Sequence, residues 1–205
     1  MEFNREQQQA MEHKDGPMLV LAGPGSGKTT VITHRVKYLV EQCGVEPGGI
    51  LVITFTKAAA QEMRQRFEKL MEGRRLPVSF GTFHAVFFSI LKRAYRYDAS
   101  NIAREEQRTR IIRELVDKLR MDVEDEAEFT SQILTEISLV KGEMMDLDYY
   151  YSKNCSEELF KKLYQGYEKA MMDKGLLDFD DMLVYCYQLL KERKDILGAW
   201  QRKFR

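Results

Sequence analysis

The sequence predicts an α/β unit built around a phosphate-binding loop and continued by an all-helical module. Three observations predict it. First, Ala22-Gly23-Pro24-Gly25-Ser26-Gly27-Lys28-Thr29-Thr30 stands between an apolar run, Met18 to Leu21, and a helical pattern of Val31, Ile32, Val36, Leu39 and Val40. That is the strand, glycine-rich loop and helix a phosphate loop needs. Second, another apolar run rich in β-branched residues, Ile50 to Phe55, reads as a buried parallel strand. Third, the alternation of strand and helix stops near Ala94, and only helical patterns follow.

Bulk properties set the limits. The 205 residues allow one or two domains. With 44% hydrophobic and 31% charged residues but only 13 Gly and 4 Pro, the chain should be folded and rich in helix. Lys+Arg and Asp+Glu are both 32, so any basic surface for a nucleic acid must be local. Cys43, Cys155 and Cys186 lie far apart without CxxC spacing, which points to reduced thiols and a cytoplasmic location. No apolar run approaches the ~20 residues of a membrane span, and Met1 to Glu6 lack the apolar core of a signal peptide. A membrane partner is not expected.

The loop chemistry follows from the residue types. Glycines at 23, 25 and 27 allow positive φ, so backbone N–H groups can turn inward around an anion. The start of the following helix adds free N–H groups and the positive end of its dipole. Lys28 can reach the β- and γ-phosphates, and the Thr29 hydroxyl can ligate Mg²⁺. Ala22 stands where the general pattern has its first Gly. A glycine-rich turn that binds nothing is the competing reading; the flanks and spacing favour the loop.

In chain order, residues 3–13 read as a short helix capped by Asn4. It carries Gln7, whose amide can pair with N6 and N7 of adenine, or can simply be a solvated helix residue. The span from Met18 to Phe55 reads as one βαβ unit. A helix follows from Ala58 to Leu70, then a third strand, Val78 to Gly81, then a helix with Val86, Phe87, Ile90 and Leu91. Ligands of open α/β sheets sit beyond the carboxyl ends of strands. Phe55, Thr56, Thr82, Phe83 and His84 fall there, and their hydroxyls and aromatic faces suit a single nucleic-acid strand. Phe55 and Phe83 fit core packing as well, and His84 fits a bond to a backbone group.

The helical module reads as four amphipathic helices and a fifth segment. They are marked by Ile111 to Leu119, Ile133 to Val140, Leu159 to Met171, Phe179 to Leu190 and Ile196 to Phe204. Asp178 is the expected N-cap of the fourth. Asp178, Asp180 and Asp181 read as a cap with dipole partners in preference to a metal site. Tyr149-Tyr150-Tyr151 fits loop or core packing better than base stacking. Most other charges interleave by sign and read as solvated faces.

These motifs together resemble the first part of superfamily 1 DNA helicases of the UvrD/Rep/PcrA type. Phe3 to Ala10 resembles the family's Q motif, which implies that Gln7 reads adenine. Ala22 to Thr29 resembles motif I, where the family commonly has Ala first, so Ala22 fits. Thr54 to Met63 resembles motif Ia, although the family often has Asn-Lys where this chain has Lys57-Ala58. Gly81-Thr82-Phe83-His84 resembles motif Ib, and Leu177 to Leu183 resembles an element late in the family's helical insertion.

The resemblance implies an incomplete RecA-like parallel sheet of the P-loop class with an inserted all-helical subdomain. The expected division is 1–91 for the ATP-binding part, 92–198 for the insertion and 199–205 for the return toward a Walker B strand. It implies ATP and Mg²⁺ as cofactors. Gln7, Ala22 to Thr30 would bind nucleotide, Lys28 and Thr29 would be catalytic, and Thr29 would hold the metal. Phe55, Thr56, Thr82 and His84 would line the path of single-stranded DNA. The parent would move 3′ to 5′ and act on 3′-tailed duplexes. The Walker B pair, the second RecA-like domain and its arginine finger are expected beyond Arg205. The chain alone should therefore hydrolyse ATP negligibly and self-associate through an open sheet edge. The alternatives are a small-molecule kinase and a nucleic-acid-binding or regulatory P-loop module without motor activity.

Overall fold

A computed structural model describes residues 2–204; Met1 and Arg205, the outer ends of the expected first and last segments, lie outside the described residues. The chain divides into two compact units, one formed by Met1–Val86 with Lys194–Arg205 and one by Phe87–Arg193.

The first unit holds α1 (Arg5–Glu12), α2 (Lys28–Glu41), β1 (Leu51–Thr54), α3 (Lys57–Leu70), β2 (Ser79–Thr82) and α9 (Lys194–Lys203). α4 (Phe83–Tyr95) starts here and carries the chain into the second unit. β1 and β2 pair in parallel, with Leu51 opposite Ser79 and Thr54 opposite Thr82. α3 is their crossover, which makes a βαβ unit from Leu51 to Thr82. The core gathers Val36, Ile50, Phe67, Met71, Val78 and Phe80, with the Phe67 and Phe80 rings 5.7 Å apart. Thr56 caps α3 by accepting a hydrogen bond from the Ala59 N–H at 3.1 Å.

One expectation fails. Met18 to Leu21 form no strand, so the βαβ unit expected from Met18 to Phe55 lacks its first member. Leu19 and Leu21 are 86% and 88% exposed. A strand exists only where a neighbour supplies ladder partners. Among the described residues no segment pairs with 18–21; the sheet is the two-stranded β1-β2. The other two strands form where expected, although Phe55 falls outside β1 and is exposed.

The second unit packs α5 (Glu105–Lys118), α6 (Glu126–Gly142), α7 (Glu157–Asp173) and α8 (Phe179–Glu192). The apolar stripes of α5, α6 and α7 meet in a core that includes Ile112, Ile133, Ile137, Phe160, Leu163 and Tyr167, all with relative exposure of 0%. The segments preceding α5 and α8 are tied by one parallel bridge, Ile102 to Leu177, with Ala103 N–H donating to Leu177 O at 2.8 Å. Asp178 caps α8 as expected, accepting from the Asp181 N–H at 2.8 Å, while Asp181 accepts in return from the Asp178 N–H. Of the three tyrosines, Tyr150 packs its ring 5.0 Å from Phe160, whereas Tyr149 and Tyr151 are exposed. No helix of the described residues is long and apolar enough to cross a membrane.

Candidate functional site

Residues 22–27 form a loop that leads directly into α2. Gly25 and Gly27 take φ of 77° and 78°, the left-handed region that admits glycine at least cost. Ala22, Gly23, Pro24, Gly25 and Ser26 are exposed. Lys28 opens α2 and folds back over the loop, its Nζ donating to the carbonyls of Ala22 at 3.2 Å and Gly23 at 2.7 Å. The Ser26 hydroxyl donates to the same Gly23 carbonyl at 2.8 Å. Thr29 and Thr30 occupy the first turn of α2, half-buried, and their carbonyls both accept from the Thr33 hydroxyl. Lys28 and the first-turn N–H groups of α2 thus converge on one exposed loop, the donor set an anionic ligand requires.

α1 stands beside this loop. The pattern Asn4-Arg5-Glu6-Gln7 forms a capping box: Asn4 Oδ1 accepts from the Gln7 N–H at 2.8 Å, and Gln7 Oε1 accepts from the Asn4 N–H at 3.0 Å. Gln7 Nε2 then donates to the Ser26 carbonyl at 3.1 Å, across 19 residues of sequence. Arg35 of α2 holds the far end of α1, donating to the carbonyls of Ala10 and His13. Gln7, Leu21, Ala22, Ser26, Lys28 and Ile32 line one cavity of about 440 Å³. The Asn4 cap was expected from the sequence; the return bond from Gln7 and the roles of Ser26 O and Arg35 were not.

A second cluster sits at the carboxyl ends of β1 and β2, which the register places side by side. Phe55 is 87% exposed and its ring lies 5.7 Å from that of Phe83. Core packing of Phe55 is thereby excluded. Thr82 Oγ1 accepts from the Ala85 N–H at 3.2 Å, and the half-buried His84 lies in the first turn of α4. Phe55, Thr56, Thr82, Phe83 and His84 do not line the Lys28 cavity.

The second unit holds a buried ionic network that no local pattern of residues marks. Lys141 of α6 pairs with Asp178 and Glu168 at 2.9 Å each and with Asp181. The Tyr167 hydroxyl donates to Asp178, and Arg108 donates to the Tyr167 oxygen. Burial would lower the Lys141 ammonium, but the charges of Asp178, Asp181 and Glu168 outweigh it and hold it above its ordinary value. Burial would raise Asp178, yet Lys141 and its hydrogen bonds keep it low. Burial pushes Asp181 up to about 7, helped by the Asp178 charge and opposed by Lys141. The Asp178 and Asp181 carboxylates are thus committed to Lys141 and the cap, and no group of three or more His, Cys, Asp or Glu among the described residues could hold a metal ion.

Fold and loop together define a class: an α/β phosphate-loop unit joined to a helical bundle. Residues 3–205 match the UvrD/REP helicase N-terminal domain, and the chain belongs to that family. It is 32% identical over 208 residues to YjcD of Bacillus subtilis (strain 168), named as a candidate ATP-dependent DNA helicase; the match covers 98% of this chain and 27% of that protein. It is 32% identical over 216 residues to the ATP-dependent DNA helicase PcrA of Staphylococcus aureus (strain Mu50), covering 98% and 28%. The PcrA of Leuconostoc citreum is 33% identical over 210 residues, with the same coverage of 98% and 28%. The chain thus spans little more than a quarter of the length of these relatives.

Proposed function

We propose that this chain is the ATP-binding N-terminal part of a DNA helicase. One observation carries the reading: Gln7, Ser26 and Lys28, from two helices and a glycine-turned loop, surround a single cavity at the N-terminus of α2. The amides of Gly23 to Gly27 and the α2 terminus bind the β- and γ-phosphates of ATP. Lys28 exchanges its bonds to Ala22 and Gly23 for phosphate oxygens, and Gln7 pairs with adenine. The Thr29 hydroxyl would be this chain's ligand to Mg²⁺. The ion would neutralise charge on the transferring phosphoryl group.

Phe55, Thr56, Thr82 and His84 line the path of single-stranded DNA, with the exposed Phe55–Phe83 pair as a stacking platform. In the parent, nucleotide-driven closure of two such domains moves the strand 3′ to 5′ and opens 3′-tailed duplexes. The parent is cytoplasmic. Residues 1–91 and 92–198 act as ATP-binding part and helical insertion, with 199–205 leading back toward the sheet.

Alone, this chain binds nucleotide but hydrolyses it negligibly. β1 and β2 end in Thr54 and Thr82, not in the acidic pair that would hold Mg²⁺ and activate water. Phosphate release measured beside binding of a fluorescent ATP analogue tests this. Saturable, Mg²⁺-dependent binding without turnover is expected. Steady turnover that vanishes in Lys28→Ala would overturn it.

A further inference from the structure

Gln7 can read a base only if its carboxamide is held in one orientation, and the structure shows what holds it. The Asn4 N–H requires an oxygen opposite it, and the Ser26 carbonyl requires an N–H. The two contacts fix which end of the amide is which. They use one acceptor site on Oε1 and one hydrogen on Nε2, leaving one of each. Adenine offers the matching pair, an N6 donor beside the N7 acceptor, whereas guanine offers two acceptors, N7 and O6.

The orientation depends on where α1 lies. α1 has 8 residues, below the roughly 12–15 at which an isolated helix becomes even marginally stable. Its position must come from tertiary anchors. At its N-terminal side the anchors are the Phe3–His34 edge contact, with ring centroids 4.8 Å apart, and the Gln7–Ser26 bond itself. At its C-terminal side Arg35 binds the carbonyls of Ala10 and His13, groups that a helix end leaves without partners. Arg35 also borders the Lys28 cavity.

We propose that Arg35 is a positioning residue for base selection: by clamping the C-terminal end of α1 onto α2, it holds the Gln7 carboxamide in the orientation that accepts adenine and rejects guanine. The inference rests on the nucleotide site proposed above and adds the residue that sets its selectivity. Arg35 acts through Gln7, by the bonds it makes to the Ala10 and His13 carbonyls.

Calorimetric affinities for ATP, GTP and inorganic tripolyphosphate, each with Mg²⁺, test it on this chain, on Gln7→Ala, Arg35→Met and Arg35→Lys. Tripolyphosphate reports the phosphate loop without a base, and Arg35→Lys keeps the charge while losing the fork. The wild-type chain should prefer ATP over GTP by at least about tenfold, the scale of one hydrogen bond made against one left unmade. In Gln7→Ala and Arg35→Met that ratio should collapse toward one, with ATP affinity falling far more than tripolyphosphate affinity. Arg35→Lys should fall between. Hydrogen exchange of the α1 amides without nucleotide should speed up in Arg35→Met. A ratio kept in Arg35→Met but lost in Gln7→Ala would overturn the role of Arg35 and leave the site standing. Equal losses for all three ligands in Arg35→Met would overturn it too, as general destabilisation. A wild-type chain that binds none of the three would overturn the site and this inference together.

Discussion

Lys141 and Asp178, 37 residues apart in sequence, meet in the interior of the helical unit with Nζ 2.9 Å from Oδ2 and side-chain exposures of 4% and 0%. The pair joins the C-terminal end of α6 to the cap of α8, and Glu168 brings in α7. Removing Lys141 leaves two buried carboxylates facing each other. Lys141→Ala should therefore cost about 3–5 kcal/mol, the range for breaking a buried ion pair from one side. Chemical denaturation of the wild type and the variant measures it. A loss within ordinary surface-substitution scatter would contradict the assignment.

The same cluster sets a pH dependence. Asp181 is pushed up to about 7 in the folded chain, against an ordinary value of 3.8. The folded state then keeps a proton that the unfolded chain has lost, so this contribution to stability is full below the unfolded value. It declines as pH rises from about 4 to about 7. Asp178 is shifted the other way, and its contribution is lost only as pH falls below its ordinary value. Asp181→Asn keeps a neutral side chain at every pH. Its melting temperature relative to wild type should climb between about pH 4 and about pH 7 and level off above; a flat difference across that window would contradict the shift.

Gly166 sets the approach of α5 to α7. A Cβ at this position would stand 2.7 Å from Leu115 Cδ2 and 3.2 Å from Cδ1. In a helix interior alanine is otherwise favoured over glycine by about 1 kcal/mol. Gly166→Ala should thus lose stability in the wild type and gain it in a Leu115→Ala background. A double-mutant cycle should show coupling of about 0.5–3 kcal/mol. Additive effects would mean that the contact has no energetic consequence.

Phe55 holds most of its ring in solvent beside Phe83. Phe55→Ala should weaken binding of a single-stranded oligonucleotide by about 1–3 kcal/mol, the worth of one stacked base. Fold stability should hardly change, because the ring contributes little to the core. Fluorescence anisotropy with a labelled strand reads the first and thermal unfolding the second. Undiminished affinity would remove Phe55 from the proposed strand path.

How much of this was legible depended on how local the cause was. Caps and turns are local, so Asn4 and Asp178 and the glycine-turned loop could be read from neighbouring residues. β1, β2 and the four bundle helices followed from apolar periodicity. Met18 to Leu21 carried the composition of a strand without a ladder, because a strand is made by its partner and composition cannot supply one. Lys141 is a cation near the end of an amphipathic helix and reads as solvent-facing; its burial is decided by Asp178 and Asp181, far along the chain. Arg35 is likewise one more cation on an amphipathic helix until α1 is laid against it.

The loop ending in Lys28 is proposed to bind a nucleoside triphosphate. Calorimetric titration of Mg²⁺–ATP and of a non-hydrolysable analogue into this chain, beside Lys28→Ala, tests it most directly. Saturable one-to-one binding of both ligands, lost in Lys28→Ala, is the predicted result. Binding that survives the substitution, or none in the wild-type chain, would contradict it.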